Sequence, residues 1–187
     1  IVNNKFSVMS GIREFEVSYH RPSELIVGSE DGLLCVYDCA SQANLFKATH
    51  PGSVSSVRAT PHPNLISCSL ERGNILVYDQ RSSSDPELRL DLTKMDTLAG
   101  MTLKQDLWSH AWINDHTGVA AYGRGVLRTF DMRRMDSCYQ WSHLKSQQSF
   151  GDVRVCHGSS NEQFIASGET NFVLGYPDPI STKHMLL

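Results

Sequence analysis

The chain has 187 residues, of which 40% are hydrophobic and 20% charged, a composition typical of a globular domain with a substantial core. Seventeen lysine and arginine residues stand against 20 aspartate and glutamate residues, which gives a net charge of −3. This balance argues against a dedicated nucleic-acid-binding protein, which usually has a basic excess. No apolar run approaches the ~18 to 20 residues of a membrane-spanning helix, so no membrane partner is expected.

The beginning of the chain and its cysteines indicate a cellular compartment. Residues 1–5 have neither the basic region nor the long apolar stretch of a secretory signal. The five cysteines, Cys35, Cys39, Cys68, Cys138 and Cys156, are odd in number and scattered. Buried free thiols explain them better than a disulfide framework does. An intracellular location, nuclear or cytoplasmic, is therefore expected.

Four segments repeat one pattern along the chain: an apolar strand, a tight polar turn, a second apolar strand and an aromatic residue. They are residues 25–38, 65–79, 119–131 and 164–176. Glycine, Asp, Asn or Glu occupies each turn, where a positive φ must be tolerated. The pattern predicts four β-hairpins.

Each hairpin has a further short strand before it, at residues 15–19, 54–58, 109–113 and 153–156. An outer strand is expected after each aromatic residue, as at residues 44–48. Asp38 and Asp79 are 41 residues apart, and Asp79 and Asp131 are 52 apart. These intervals suit the ~40 to 45 residues of a four-stranded propeller blade, with room for an inserted loop in 82–94. The sequence thus predicts an all-β chain.

The ends of these repeats resemble those of the WD-repeat family. The resemblance rests on a turn before a hairpin strand, an aromatic-Asp pair after it and a preceding His. The residues are Asp31, Tyr37, Asp38, His50, Tyr78, Asp79, Phe130 and Asp131. It implies a single partial β-propeller of WD-repeat type over residues 1–187, with about four four-stranded blades near 10–48, 49–94, 95–145 and 146–187. These motif residues are then structural.

In the WD-repeat family a His, a turn Asp, a strand Ser or Thr and a Trp form a hydrogen-bonded chain within a blade. Here Arg72 and Arg124 stand where the turn Asp would be, and Tyr176 is followed by Pro177. The resemblance therefore implies an incomplete polar chain. Propellers have about 4 to 8 blades, usually seven in this family, and an open arc would leave exposed sheet edges. A fragment is expected, or a ring that a partner or second copy closes.

Residue groupings that could support catalysis or metal binding are weak. Cys35 with Cys39, or Cys156-His157 with Cys138 and His143, lack the paired spacing of zinc ligands. No Ser-His-Asp grouping has a recognisable context. We expect no catalytic residue, metal, cofactor or small-molecule substrate.

Two repeats end in the same four-residue pattern, Tyr78-Asp79-Gln80-Arg81 and Phe130-Asp131-Met132-Arg133. In WD-repeat substrate receptors of cullin-type ubiquitin ligases, such arginines help to dock the ligase adaptor, and the resemblance extends that role to Arg81 and Arg133. Arginine supplies a planar, multi-donor contact at interfaces. Local salt bridging is the alternative interpretation.

Two tryptophans flank the third repeat. Alternation in Trp108-Ser109-His110-Ala111-Trp112 predicts that Trp108 and Trp112 lie on one strand face. They are candidate anchors for a protein partner. Packing between blades is the preferred interpretation of both.

These observations together favour a non-enzymatic protein-interaction scaffold subunit of an intracellular multiprotein complex. The first alternative is a substrate receptor of a cullin-type ligase, and the second is an RNA- or chromatin-associated WD-repeat protein. A propeller hydrolase or metal enzyme is the least favoured class.

Overall fold

The computed structural model describes residues 11–82, 84–91, 106–123, 126–142, 150–157, 162–168, 172–175 and 185–186, with side chains in 11–82, 84–91, 106–123, 126–133 and 151–155. The strands are β1 Ile12–Val17, β2 Glu24–Ser29, β3 Leu33–Asp38, β4 Ala43–Thr49, β5 Val54–Ala59, β6 Leu65–Leu70, β7 Asn74–Asp79, β8 Leu88–Asp91, β9 Leu107–Trp112, β10 Thr117–Tyr122, β11 Val126–Asp131, β12 Arg134–Ser142, β13 Phe150–His157, β14 Glu162–Gly168, β15 Phe172–Gly175 and β16 Met185–Leu186. Within these ranges no helix is long and apolar enough to cross a membrane.

The strands form four sheets, each built from four consecutive strands in chain order. The strand pairs are antiparallel, as hairpins and meanders require. The sheets cover residues 12–49, 54–91, 107–142 and 150–186. The prediction of an all-β chain with four-stranded repeats is confirmed, and β4 ends one residue beyond the predicted end of the first blade.

The chain divides into two compact units. Unit 1 consists of Ile1–Glu71 and Ile75–Arg89, and unit 2 of Arg72–Asn74 and Leu90–Leu187. Unit 1 has a buried core that includes Ile26, Leu34, Val36, Val57 and Tyr78. Unit 2 has its own core, with Ala111, Ile113, Val119, Leu127 and Val153. The single-domain prediction stays a prediction.

Glycine shapes the hairpin turns, as the sequence predicts. Gly32 and Gly73 have φ of 85° and 89°, in the turns between the second and third strands of their sheets. A Cβ atom on Gly32 would also collide with the backbone carbonyl oxygen of His50. Only glycine meets both requirements without strain.

The first strand of every sheet contains a β-bulge at the same place. In β1, Ile12 pairs with Ser29 and Glu14 with Gly28, which leaves Arg13 as the extra residue. The extra residues of β5, β9 and β13 are Ser55, Trp108 and Gly151. Bulges bend a strand and redirect side chains, and the sequence patterns did not predict these.

The bulge in β9 corrects one expectation. Strict alternation was expected to put Trp108 and Trp112 on one strand face. Trp108 is the extra residue between the pairs Leu107–Tyr122 and Ser109–Ala121, so the alternation is interrupted there. Trp108 is 36% exposed whereas Trp112 is 6% exposed.

Candidate protein-interaction site

The aspartates that follow the aromatic residues organise the turns after the third strands. Asp38 accepts hydrogen bonds from the backbone N–H groups of Ala40 and Ser41, both at 3.1 Å. Asp79 and Asp131 each accept one from the N–H two residues later, at 2.9 Å. Such Asx turns hold the backbone through a local side chain. Each Asp therefore fixes the direction in which the chain leaves the third strand of its sheet.

In two of these turns the residue two positions later is arginine, and it closes back on the aspartate. The Nε of Arg81 donates to Oδ1 of Asp79 at 2.9 Å, and its Nη2 donates to Oδ2 at 2.6 Å. Arg133 makes the same two bonds to Asp131, at 3.1 and 2.7 Å. The two guanidinium groups are thus held in the same bidentate geometry in two different sheets.

Both arginines remain accessible despite this pairing. The side chain of Arg81 is 65% exposed and that of Arg133 is 63% exposed. Each guanidinium has further N–H donors beyond the two that bond its aspartate. Because the aspartate already restricts the long side chain, less conformational entropy is lost when a partner binds it. The turns present two oriented cations to solvent.

The ion pairs also shift the carboxyl pKa values. The side-chain hydrogen bond from Arg81 lowers the pKa of Asp79 to about 2. The equivalent bond from Arg133 lowers the pKa of Asp131 to about 2. The same pairing raises the pKa of each arginine. Both pairs therefore stay ionised throughout the neutral range.

The two tryptophan candidates have different surroundings. The Trp112 ring meets Phe130 edge-on, with ring centroids 5.5 Å apart, and is buried. Trp112 on β9 and Phe130 on β11 belong to the same sheet, so packing between blades stays a prediction. Trp108 projects from the bulge with part of its surface in solvent. A contact of either residue with a partner stays a prediction.

The polar chain that the resemblance implies is present in part in unit 1. The hydroxyl of Tyr78 lies 3.1 Å from Nε2 of His50, and the sulfur of Cys68 lies 3.9 Å from the same nitrogen. Burial lowers the pKa of His50 and raises that of Tyr78, so both are neutral at physiological pH.

The remaining motif residues lie in turns or in the sheets. Asp31 accepts a short hydrogen bond from the hydroxyl of Ser29, and Leu33 N–H donates to that hydroxyl oxygen at 3.1 Å. Tyr37 is half-buried and pairs with Leu25 across β2 and β3. Their stiffening role stays a prediction. Arg124 and Tyr176 lie outside the described residues.

Polar contacts between neighbouring sheets of unit 1 were not predicted from the sequence. Glu14 on β1 accepts hydrogen bonds from Val57 N–H at 3.0 Å and from Nη1 of Arg58 at 2.7 Å. Glu16, two residues on, accepts one from Ala59 N–H at 2.9 Å and lies 3.6 Å from the same Nη1. The Arg58 side chain is only 4% exposed.

Unit 2 has an equivalent contact with different chemistry. The hydroxyl of Ser109 on β9 donates to Oδ1 of Asp152 at 2.6 Å and accepts from Val153 N–H at 3.3 Å. Glu14 and Ser109 each directly follow the bulge of a first strand, and Val57 and Val153 occupy matching positions on the next first strand. The signal that could reveal this pattern is a polar residue at one recurring place in each repeat.

Sites for metal ions or nucleophilic catalysis do not emerge from the side chains that the structure describes. These contain no group of three or more His, Cys, Asp or Glu residues arranged to hold a metal ion. Cys35 is buried and Cys39 exposed, and burial raises the pKa of Cys35 to about 11, which keeps it protonated. The side chains of Cys138, His143, Cys156 and His157 lie outside the described part, so the expectation of no metal site stays a prediction.

Comparisons with known proteins establish the fold. No protein-family model matches the chain, and no curated protein matches it either. A chain in the crystal structure of the mitotic checkpoint complex superposes with a TM-score of 0.71 at 19% sequence identity, over 92% of this chain and 49% of that one. This chain thus spans about half the length of the solved chain.

The comparison with solved structures matches 1343 chains, and these matches do not identify a function for this chain. At such low identity the likeness concerns the fold alone. The four antiparallel four-stranded sheets and this likeness together give the chain the all-β fold of WD-repeat β-propeller blades.

Proposed function

We propose that the chain is a non-enzymatic protein-interaction scaffold in an intracellular multiprotein complex. One observation carries the proposal: Arg81 and Arg133 are exposed and oriented by their own aspartates in the same geometry in two repeats. Arginine is enriched among residues that dominate binding energy at interfaces.

The turn geometry suits recognition better than it suits stability. Surface ion pairs contribute little to folding, yet here two repeats hold arginine in one conformation. A preorganised guanidinium binds carboxylates or carbonyl oxygens at lower entropic cost than a free side chain does. We therefore assign these arginines to a protein partner.

The test is affinity purification of the tagged chain from cells in mild salt, followed by mass spectrometry. We expect stoichiometric partners with the wild-type chain and their loss with the double variant Arg81→Ala, Arg133→Ala. Arg154→Ala is the matched control, because Arg154 is also exposed and also pairs with an aspartate two residues earlier. Unchanged partners in the double variant would refute the assignment.

A second candidate is a substrate receptor of a cullin-type ubiquitin ligase, which the aromatic-Asp-x-Arg pattern in two repeats supports. The expected result is that the purified chain binds the ligase adaptor and that the double variant does not, while its circular dichroism spectrum is unchanged. Retention of the adaptor by the double variant would remove this candidate and leave the scaffold role open to another surface.

A further inference from the structure

The turn after β7 presents a serine hydroxyl beside the ion pair of Arg81 and Asp79. Ser82 directly follows Arg81 and is exposed. Its N–H donates to the backbone carbonyl oxygen of Asp79 at 3.1 Å, so Ser82 belongs to the same turn. Its hydroxyl donates to Oε1 of Glu87 at 3.0 Å and lies 3.2 Å from the Asp79 carbonyl oxygen. An accessible hydroxyl is therefore held next to the cation that we assign to partner binding.

Acidic side chains follow this serine. Asp85 lies three residues and Glu87 five residues beyond Ser82, and both are exposed. The hydrogen bond from the hydroxyl keeps the Glu87 carboxylate beside it. Protein kinases select substrates by the charge pattern around the target hydroxyl. A basic substrate groove complements a serine that is followed by carboxylates, so this segment fits an acid-directed protein kinase.

The equivalent turn of the first sheet supplies a comparison. Ser41 is also exposed, and its hydroxyl donates to Oδ2 of Asp38 at 2.5 Å. The five residues after Ser41 include no acidic residue, and the residue before it is Ala40 instead of an arginine. Exposure and a bond to the turn are thus common to both serines. The adjacent arginine and the following carboxylates are particular to the turn of Ser82.

A phosphate on Ser82 would reverse the charge that this turn presents. It carries about −1.5 to −2 charges at pH 7 and three strong acceptor oxygens. Asp79 holds Arg81 by two hydrogen bonds, yet the Arg81 side chain is 65% exposed and belongs to the residue next to the phosphate. Arginine binds phosphate in bidentate geometry, and a dianion attracts it more strongly than a single carboxylate does. The turn itself survives this exchange, because the Arg81 N–H still bonds Oδ1 of Asp79.

We propose that Ser82 is a phosphorylation site for an acid-directed protein kinase and that its phosphate withdraws Arg81 from the partner. The Ser82 Oγ forms a bond to the γ-phosphorus of ATP, and the bond from that phosphorus to the oxygen bridging to the β-phosphorus breaks. ADP leaves, and the hydroxyl proton passes to the catalytic aspartate of the kinase. The effect on binding rests on the proposed function, whereas the modification does not. Arg133 is followed by Arg134 instead of a serine, so that turn keeps its cation and binding is weakened, not abolished.

The first test is treatment of the purified full chain with casein kinase II and ATP, followed by tandem mass spectrometry. We expect phosphate on Ser82 in the wild type, and equally in Ser41→Ala and Ser84→Ala. Ser84 is the stringent control, because it is also exposed and has Glu87 three residues after it. Asp85→Asn is expected to slow the modification of Ser82 at least about fivefold. No phosphate at Ser82, or phosphate on Ser84 in its place, would overturn the proposal.

Phosphorus NMR of the phosphorylated chain tests the contact with Arg81 in the absence of any partner. A neighbouring cation favours the dianion and so lowers the second pKa of a phosphate. We expect Arg81→Gln to raise that pKa, since the carboxylates of Asp79 and Glu87 stay in place. Arg133→Gln is the control and is expected to leave the pKa unchanged. The same pKa in Arg81→Gln as in the wild type would refute the exchange of Arg81 between carboxylate and phosphate.

Partner binding is measured separately, by the affinity purification proposed for the scaffold function. The phosphorylated chain is expected to retain partners at least about fivefold less than the unmodified chain, as Arg81→Ala does. Kinase-treated Ser82→Ala is expected to bind like the untreated wild type. Equal retention by the phosphorylated and unmodified chains would overturn the regulatory role. Full retention by the double variant Arg81→Ala, Arg133→Ala would instead refute the partner site, and the phosphorylation and NMR results would still decide the modification.

Discussion

Within unit 1, and likewise within unit 2, a side chain of one sheet accepts a hydrogen bond from the neighbouring sheet. The two acceptors occupy equivalent positions but differ in chemistry. In unit 1 a carboxylate, Glu14, accepts the Val57 N–H and is balanced by Arg58, which is almost fully buried. In unit 2 the smaller Ser109 accepts the Val153 N–H and bonds Asp152. The backbone donor is the same in both units and only the acceptor differs.

The comparison teaches that the constraint lies in the backbone. A first strand is an edge strand, and a buried N–H group needs an acceptor wherever a neighbouring sheet covers it. A carboxylate satisfies the N–H group but brings a charge that must itself be paired. A hydroxyl satisfies the N–H group without bringing a charge. Unit 1 is therefore expected to depend on single residues more strongly than unit 2.

The largest expected difference follows from removing the buried cation. Arg58→Ala leaves Glu14 and Glu16, which are partly exposed, without their shared partner. Breaking a fully buried pair on one side costs about 3 to 5 kcal/mol, and we expect a loss at the lower end of that range. Urea denaturation gives the free energy of unfolding. The variant Glu14→Gln, Glu16→Gln, Arg58→Met removes all three charges together and is expected to regain most of the loss. An equally unstable triple variant would show that packing, not charge, is responsible.

A smaller effect on stability is expected from substituting the second-strand residue that pairs with Glu14 in unit 1 or with Ser109 in unit 2. In unit 1 this is Gly28, and a Cβ there would lie 2.5 Å from Cγ1 of Val54; in unit 2 it is Ala121, which is buried. Overpacking by Gly28→Ala is expected to destabilise the protein by about 1 to 3 kcal/mol.

Thermal unfolding of Gly28→Ala and of Ala121→Gly tests whether this second-strand position has less room for a side chain in unit 1 than in unit 2. The reverse change in unit 2 removes a methyl group instead of adding one, and glycine in a strand costs about 0.5 to 1 kcal/mol relative to alanine. If Gly28→Ala is neutral, the sheets of unit 1 can separate enough to accept a side chain, and their close contact is not required.

Ser109→Ala tests the hydroxyl in unit 2. Because Val153 N–H also bonds Oδ1 of Asp152 at 2.8 Å, the donor keeps an acceptor, and we expect a loss of only about 0.5 to 1.5 kcal/mol. Ser109→Thr, which retains the hydroxyl, is the control in the same denaturation series. A loss as large as that of Arg58→Ala would contradict the proposed difference between the units.

The least effect is expected from acidification. It sharpens the comparison because, among the side chains that the structure describes, the contact between a third-strand aromatic residue and a histidine is that of Tyr78 with His50 in unit 1. Burial lowers the pKa of His50 below its usual 6.5, so the unfolded chain binds the proton more readily. The contribution of neutral His50 to stability is then complete above pH 6.5 and is lost as pH falls through its lower folded pKa.

His50→Gln is expected to abolish this part of the pH dependence, measured as unfolding free energy from pH 8 to about pH 5. Tyr78→Phe is the companion variant, since it removes the hydroxyl that His50 contacts but leaves the titrating ring. Identical pH profiles of wild type and His50→Gln would show that other groups carry the acid response.

Much of the architecture could be predicted because it depends on neighbours in sequence. Strand alternation and turn glycines such as Gly32 are local signals, so the four hairpins and the all-β class followed from composition and period. The pairing of Arg81 with Asp79 is also local, because the two residues are separated by one position. Whether Arg81 binds a partner was not decided by those signals and stays a proposal.

The sequence by itself determined the strands, their turns and the repeat, because short-range sterics and hydrogen bonding decide these. Only the tertiary structure decided the bulge that separates Trp108 from Trp112 and the burial of Arg58. Each of these depends on which strand or sheet lies opposite, and that is a contact between residues far apart in the chain.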